Sequence, residues 1–506
     1  MENIVHLVKN LQTGEIKLLT HFYKYQKDHE SKKINLLFEL AIRSRASRRP
    51  EDLDRKALER LYSGNKKHEM RLSKLKWRLK TDIMNILLLQ SSAQKFSTKH
   101  DLAIFDCRRM LIQGEILMSR GIYCEGIQLL ERASSIAQKN ELYAEQILID
   151  ELCRNYNLLR SGEREFFSFM KRIEKNSALL EKLQSAKHFH YEMTASKLFE
   201  NGNIQPIEEW EQKLEMIRKD YEKSRSVKIG FYYHLSALTF YREVHQFGRS
   251  LESGLALLKN AASSDILKTS YYSGKINLEV AKCYLQTEDY DEAIKHAGIS
   301  NKHFQKDLLN ELTTLEILLH CYMIKGDKSN IEQILEKAFS KIVPSEKFTI
   351  AKWNFLRAGV DFRSEDYCSA QHKLKDCAEL MKDKNGWVMA YSFFEVICKI
   401  ETGNHDWFEY RSDALKKLLM RHAKGHSGQQ KRFNVIFKIL KTLHKNGYDY
   451  LRTVVQEKEN INLLSEIGYS YSWNMNGYEP VQFDHWIKAK AAKQLKENKA
   501  KSKLVA

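Results

Sequence analysis

In this 506-residue sequence the spacings nearest to a metal site are His188-Phe189-His190 with Glu192, and the pair His422 and His426. Imidazole and carboxylate are ligands that zinc takes, and three or four must converge. Residues two apart on a helix point to roughly opposite faces, so His188 and His190 do not converge. His422 and His426 are one helical turn apart, yet Gly425 between them reads as a helix end. No Cys-x-x-Cys, His-Glu-x-x-His, Gly-x-Ser-x-Gly or phosphate-binding glycine loop occurs. We therefore assign no catalytic, cofactor-binding or metal residue, and read the chain as a non-enzyme without a cofactor.

The second chemistry on offer is charge. The net charge is +18. Residues 1–100 hold 22 Lys and Arg against 11 Asp and Glu, and residues 488–506 hold seven Lys against one Glu, so the stretch between is nearly neutral. Attraction to a polyanion would act through the ends. The candidates are Arg45, Arg48 and Arg49 in a basic loop ending at Pro50, and Lys74, Lys76, Arg78 and Lys80 on the long helix expected over 72–90. Lysine and arginine contacts to phosphate supply most non-specific nucleic-acid affinity, which makes residues 1–95 an alternative nucleic-acid module. The other reading is a solvated helix face on a domain that closes the N-terminal end of a repeat stack.

These groups have to be positioned by helices. A hydrophobic fraction of 43% with 11% aromatics excludes wholesale disorder. Four prolines, at 50, 206, 344 and 480, leave stretches of more than 100 residues without one, and proline is the strongest helix breaker. The longest aliphatic run, Ile86 to Leu89, is too short to span a bilayer, and the N-terminus lacks the pattern of a secretion signal. The expected location is the cytoplasm, with the eight scattered cysteines reduced.

Turn signals recur about every 40 residues: Gly121, Gly162, Gly202, His245-Gln246-Phe247, Glu288-Asp289-Tyr290, Gly326-Asp327, Glu365-Asp366-Tyr367 and Gly403. A fixed period of this size is the mark of stacked helix pairs that share one elongated core. The stretch from Val280 to Ile294 resembles the tetratricopeptide motif: small Ala281 and aromatic Tyr284 on a first helix, an Asp-Tyr turn, and Ala293 on a second. Small residues let two antiparallel helices approach closely. The expected fold is thus all-α, an α-solenoid of tetratricopeptide-like helix pairs with an N-terminal helical domain. Its segments are 1–95, a basic helical domain; 96–420, the repeats; 421–487, capping helices; and 488–506, a Lys-rich flexible tail.

Within residues 1–95 the apolar spacing predicts helices over 14–25, 33–44, 54–62 and 72–90. The order Thr13-Gly14-Glu15-Ile16, His21-Phe22, Asn35 to Leu40, Ala57 to Tyr62 and Leu72 to Leu79 resembles the opening of an uncharacterised group of helical-repeat proteins from Bacteroidetes-type bacteria. Phe483-Asp484-His485-Trp486-Ile487 is similar to the segment with which those proteins close. The resemblance implies a helical-repeat architecture and no particular activity.

A repeat stack offers its inner surface to other molecules. On the clearest unit the first-helix residues turned away from the partner helix are Lys275, Glu279, Lys282 and Gln286, with Glu316 and His320 on the next. The function expected from sequence is a protein-interaction scaffold binding a peptide or another protein there, with no membrane partner. The alternative is a regulator whose basic N-terminal domain holds nucleic acid while the repeats sense a protein.

Overall fold

Because so few residues force a helix to stop, the places where the chain does turn carry the architecture. The computed structural model describes residues 4–5, 7–8, 11, 13–25, 29–44, 53–63, 68–89, 99–157, 163–198, 207–305, 307–383, 386–421, 428–467, 471–473, 475 and 478–505. Among them are 23 α-helices and no strand. The chain divides into two units, Met1–Gln113 and Gly114–Ala506. The division falls inside the helix Lys99–Ser119 rather than at residue 95.

The first unit contains α1 (Thr13–Tyr25), α2 (His29–Arg43), α3 (Leu53–Tyr62) and α4 (Glu69–Leu89), each within a few residues of its expected span apart from the start of α2. Leu72, Leu75, Leu79, Ile83 and Ile86 recur at three- and four-residue steps and bury one face of α4 against Leu19, Ile34, Leu37, Phe38 and Ala57. Inside this core the Tyr23 hydroxyl donates to Asp82 at 2.7 Å. Burial, with that carboxylate, raises the tyrosine pKa.

α5 (Lys99–Ser119) leads into the second unit. There α6 (Tyr123–Lys139), α7 (Tyr143–Asn157), α8 (Glu163–Leu198), α9 (Ile207–Ser224), α10 (Val227–Glu243), α11 (Phe247–Ala262), α12 (Ser270–Gln286), α13 (Tyr290–His303), α14 (Leu308–Lys325), α15 (Lys328–Lys341), α16 (Lys347–Arg363), α17 (Tyr367–Leu374), α18 (Trp387–Glu401), α19 (Asp406–Arg421), α20 (Gly428–Lys445), α21 (Tyr450–Gln456), α22 (Lys458–Ser465) and α23 (Phe483–Val505) follow one another. Neighbours in sequence are neighbours in space, as in a solenoid-like stack of helix pairs. Ala281 and Ala293 are fully buried where α12 meets α13.

One turn recurs along this unit. A residue with positive φ ends the first helix, and the next amide donates to the carbonyl five residues back. Ile122 thus bonds Leu117, Leu142 bonds Ala137, Gln246 bonds Tyr241, Asp289 bonds Tyr284, Asp327 bonds Tyr322, Asp366 bonds Asp361, Asn404 bonds Lys399, and Tyr448 bonds Leu443, all at 2.8–3.1 Å. The carboxylates of Asp289, Asp327 and Asp366 each cap the following helix. Six of the eight expected turns coincide with this motif, while Gly162 and Gly202 lie outside the described residues.

The beat differs from expectation in two places. No break separates a helix pair between 162 and 202: α8 runs unbroken for 36 residues, a stretch that holds neither glycine nor proline. The beat also continues past residue 420. α20 and α21 form a further hairpin at Gly447 and Tyr448, and Asp449 caps α21 as the other aspartates do. The Lys-rich stretch expected as a flexible tail is, through residue 505, the continuation of α23. Lys490 pairs with Glu401, and Lys493 with Glu365 at 2.7 Å.

Candidate functional site

The six residues expected on the inner face do lie on α12 and α14, but four of them are buried, and only Lys275 and Lys282 are partly exposed. Glu279 is 4% exposed, and Gln286, Glu316 and His320 are comparably buried. The physical reason is that successive first helices pack side by side and pair their charges across the seam. Glu279 accepts from Arg242 of α10 at 2.8 Å, while Lys275 and Lys282 approach its other oxygen at 3.2 and 2.8 Å. Glu316 binds Lys352 of α16 at 2.6 Å. Both seams join residues 36 or 37 apart, one repeat along the chain.

These surroundings move the titrations. Burial disfavours the Glu279 carboxylate, yet Lys282, Lys275 and Arg242 outweigh it and hold its pKa well below the usual value. Burial pushes Lys282 down to about 8, with Lys275 and Arg242 adding to the shift and Glu279 opposing it. Burial takes His320 down to about 4, against the pull of Glu316.

Gln286 and His320 are covered by the chain itself. After α22 an irregular segment, seen at residues 471–473, 475 and 478–482 and turning back on itself at Tyr478, lies on the first helices of the stack. Trp473 meets the His320 ring edge-on at 5.3 Å. With its amide oriented to satisfy both partners, Gln286 donates to the Trp473 carbonyl at 3.2 Å and accepts from the Met475 amide at 3.0 Å. Trp473 and Met475 pack against the core that contains Leu315, Leu319 and Trp353. Returning, Tyr478 stacks on Trp387 of α18 at 4.2 Å. Pro480 lies so near Gly359 of α16 that a Cβ there would stand 2.8 Å from the proline ring. The Trp473 indole N–H reaches the Glu479 carbonyl at 3.4 Å and draws the two limbs together.

Arg432 of α20 holds the base of this segment. Its side chain is 3% exposed. Nε donates to Glu479 Oε1, Nη2 to Glu479 Oε2 at 3.1 Å and to Asp484 Oδ1 at 2.9 Å, and Nη1 to the carbonyls of Leu464 and Tyr471 at 2.9 and 2.8 Å. Burial opposes the arginine charge, but Glu479 and Asp484 more than compensate and its pKa is raised. Sequence reasoning missed Arg432 because its partners are 32 to 52 residues away. A signal was nevertheless present: Tyr471, Trp473, Tyr478 and Pro480 form an aromatic run without helical spacing that ends in a helix breaker.

In the first unit Arg45, Arg48 and Arg49 lie outside the described residues. Lys76 pairs with Asp54, and Arg78 with Glu30 at 2.6 Å. Lys74 and Lys80 are exposed, and between them Trp77 is 70% exposed.

His188 is exposed on α8, and the ring of His190 lies 6.1 Å from that of Tyr232. His422 and His426 lie outside the described residues. All eight cysteines are free thiols, and no described helix is long and apolar enough to cross a membrane. No protein-family model matches the chain, and no curated protein matches it.

Proposed function

We propose that this chain is a protein-interaction scaffold that holds an extended peptide segment of a partner on the inner face of its helical stack. On this reading the helix pairs are of the tetratricopeptide kind, as in the helical-repeat proteins of Bacteroidetes-type bacteria, and the protein works in the cytoplasm as a binder rather than a catalyst. The observation that supports it is the segment seen at residues 471–473, 475 and 478–482. It is held by an aromatic stack, a proline on a glycine, a side-chain amide pairing two backbone groups, and a buried arginine on a glutamate, contacts that a peptide segment of another chain could equally make. The chain's own segment occupies the place such a ligand would take.

The test uses the full chain with Trp473→Ala and Tyr478→Ala and a fluorescent peptide of sequence 470–483 added in trans. Hydrogen exchange establishes that the resident segment is released and the helices remain. Saturable binding of the peptide to the variant, and none to the unmodified chain, is expected. A released, folded variant that binds no peptide would overturn the reading.

The nucleic-acid alternative rests on one observation, the exposed Trp77 flanked by Lys74 and Lys80. An aromatic ring among cations suits single-stranded nucleic acid, whose bases stack on it.

A further inference from the structure

The geometry points to a second binding site, distinct from the inner-face one though lined in part by Val481 of the same segment: a cleft between the end of α16 and α23 that takes a single-ring aromatic carboxylate. The cleft has a volume of about 160 Å³. A cavity of about 150 Å³ holds benzene, so there is room for one six-membered ring.

Three aromatic side chains form its walls. Phe362 meets Tyr367 at 5.0 Å and Trp486 at 6.4 Å. The Trp486 indole is fixed by donating to Glu401 at 2.9 Å, and Glu401 also accepts from the Tyr450 hydroxyl at 3.0 Å. A planar apolar group between such rings gains edge and offset contacts that water cannot replace.

The rim decides the charge of the ligand. Lys490 lies 4.7 Å over the Tyr367 ring and is paired with Glu401, while Lys493 is paired with Glu365 at 2.7 Å. His485 stands 3.9 Å from Asp484, whose carboxylate is already held by Arg432. Those charges are matched. Arg363, on the same rim, has no ion pair or hydrogen bond among the described residues. One unmatched guanidinium calls for one negative charge, and its two parallel N–H groups fit a carboxylate in bidentate fashion. A cationic ring is disfavoured, since three cations surround the opening.

Calorimetric titration of the full chain with benzoate tests the site. One saturable site is expected, with no saturable heat from benzyl alcohol or benzylamine. Arg363→Gln should weaken benzoate by about tenfold or more, as loss of charge-assisted hydrogen bonds does. Arg363→Lys, which keeps the charge without the fork, should fall between. Thermal melts of both variants establish that each folds as the parent does. Absence of a saturable benzoate site, or unchanged binding by Arg363→Gln, would overturn the proposal.

Discussion

Four of the eight recurring turns place glycine at the positive-φ position, at residues 121, 326, 403 and 447, and four place a residue with a side chain, at Glu141, His245, Glu288 and Glu365. A left-handed conformation costs a residue with a Cβ roughly 1–2 kcal/mol relative to glycine. Glu141 has compensation, because its carboxylate accepts from the amides of Val227 and Lys228 at 2.8 and 2.9 Å and so caps α10. Glu288 has no hydrogen bond from its side chain among the described residues. Glu288→Gly should therefore stabilise the chain by about 1 kcal/mol in chemical denaturation, whereas Glu141→Gly should destabilise it despite the same gain in φ.

His320 gives the clearest pH effect. Its folded pKa is about 4. The ordinary value near 6.5 applies when the chain is unfolded. Between those values the unfolded state binds a proton that the folded state refuses, so stability is complete above about 6.5, falls as pH drops toward about 4, and levels off below. The loss is on the order of 3 kcal/mol, and Lys352 and Arg363 beside the ring add to the resistance. In urea titrations from about pH 7 to pH 4, His320→Phe should flatten this part of the profile. An unchanged slope would mean that the ring is not buried under Trp473.

At the level of elements, the helices of the first unit and the turns near 121, 245, 288, 326, 365 and 403 were legible because both depend on local sequence. The apolar steps of α4 fix its buried face, and Asp289 caps its own helix three residues on. The hairpin at Gly447 carries the same Asp signal and was readable by the same rule. The site was not legible, because it is made by contacts between distant residues. Glu279 reads as a solvated charge until Arg242, one repeat earlier, is beside it. Nothing near Gly359 in sequence says that Pro480 will rest on it.

That contact sets two effects against each other in Gly359→Ala. Alanine in a helix interior gains about 1 kcal/mol over glycine. The added methyl, however, meets Pro480 at 2.8 Å and its carbonyl oxygen at 3.1 Å. Forcing atoms into a packed site costs typically about 1–3 kcal/mol. Helix α16 should keep its protection in hydrogen exchange while amides of residues 478–482 lose theirs. Retained protection at 478–482 would show that the segment can shift without detaching.

Across the second unit as a whole, the segment changes what kind of object a repeat stack is. In a simple stack each hairpin touches only its neighbours, and stability is a sum of local terms that can fail one unit at a time. Here a single stretch of about a dozen residues touches α12 through Gln286, α14 through His320, α16 through Gly359, α18 through Trp387 and α20 through Arg432. Five first helices are thereby tied to one another through a common partner, and Arg432 with Glu479 and Asp484 is the fastening. Removing one member of such a buried charge group leaves the others uncompensated, at a cost of about 3–5 kcal/mol. Arg432→Met should accordingly do more than lower the midpoint of unfolding. With Glu479 and Asp484 left unpaired, the segment should detach and the five hairpins should lose their shared partner. The urea transition should then broaden, with a smaller slope and with α12–α15 and α18–α21 exchanging their amides at different denaturant concentrations, where these helices of the unmodified chain are expected to share one transition. A variant that is merely less stable, with an unchanged slope and a common transition, would show that neighbour contacts alone make the stack cooperative.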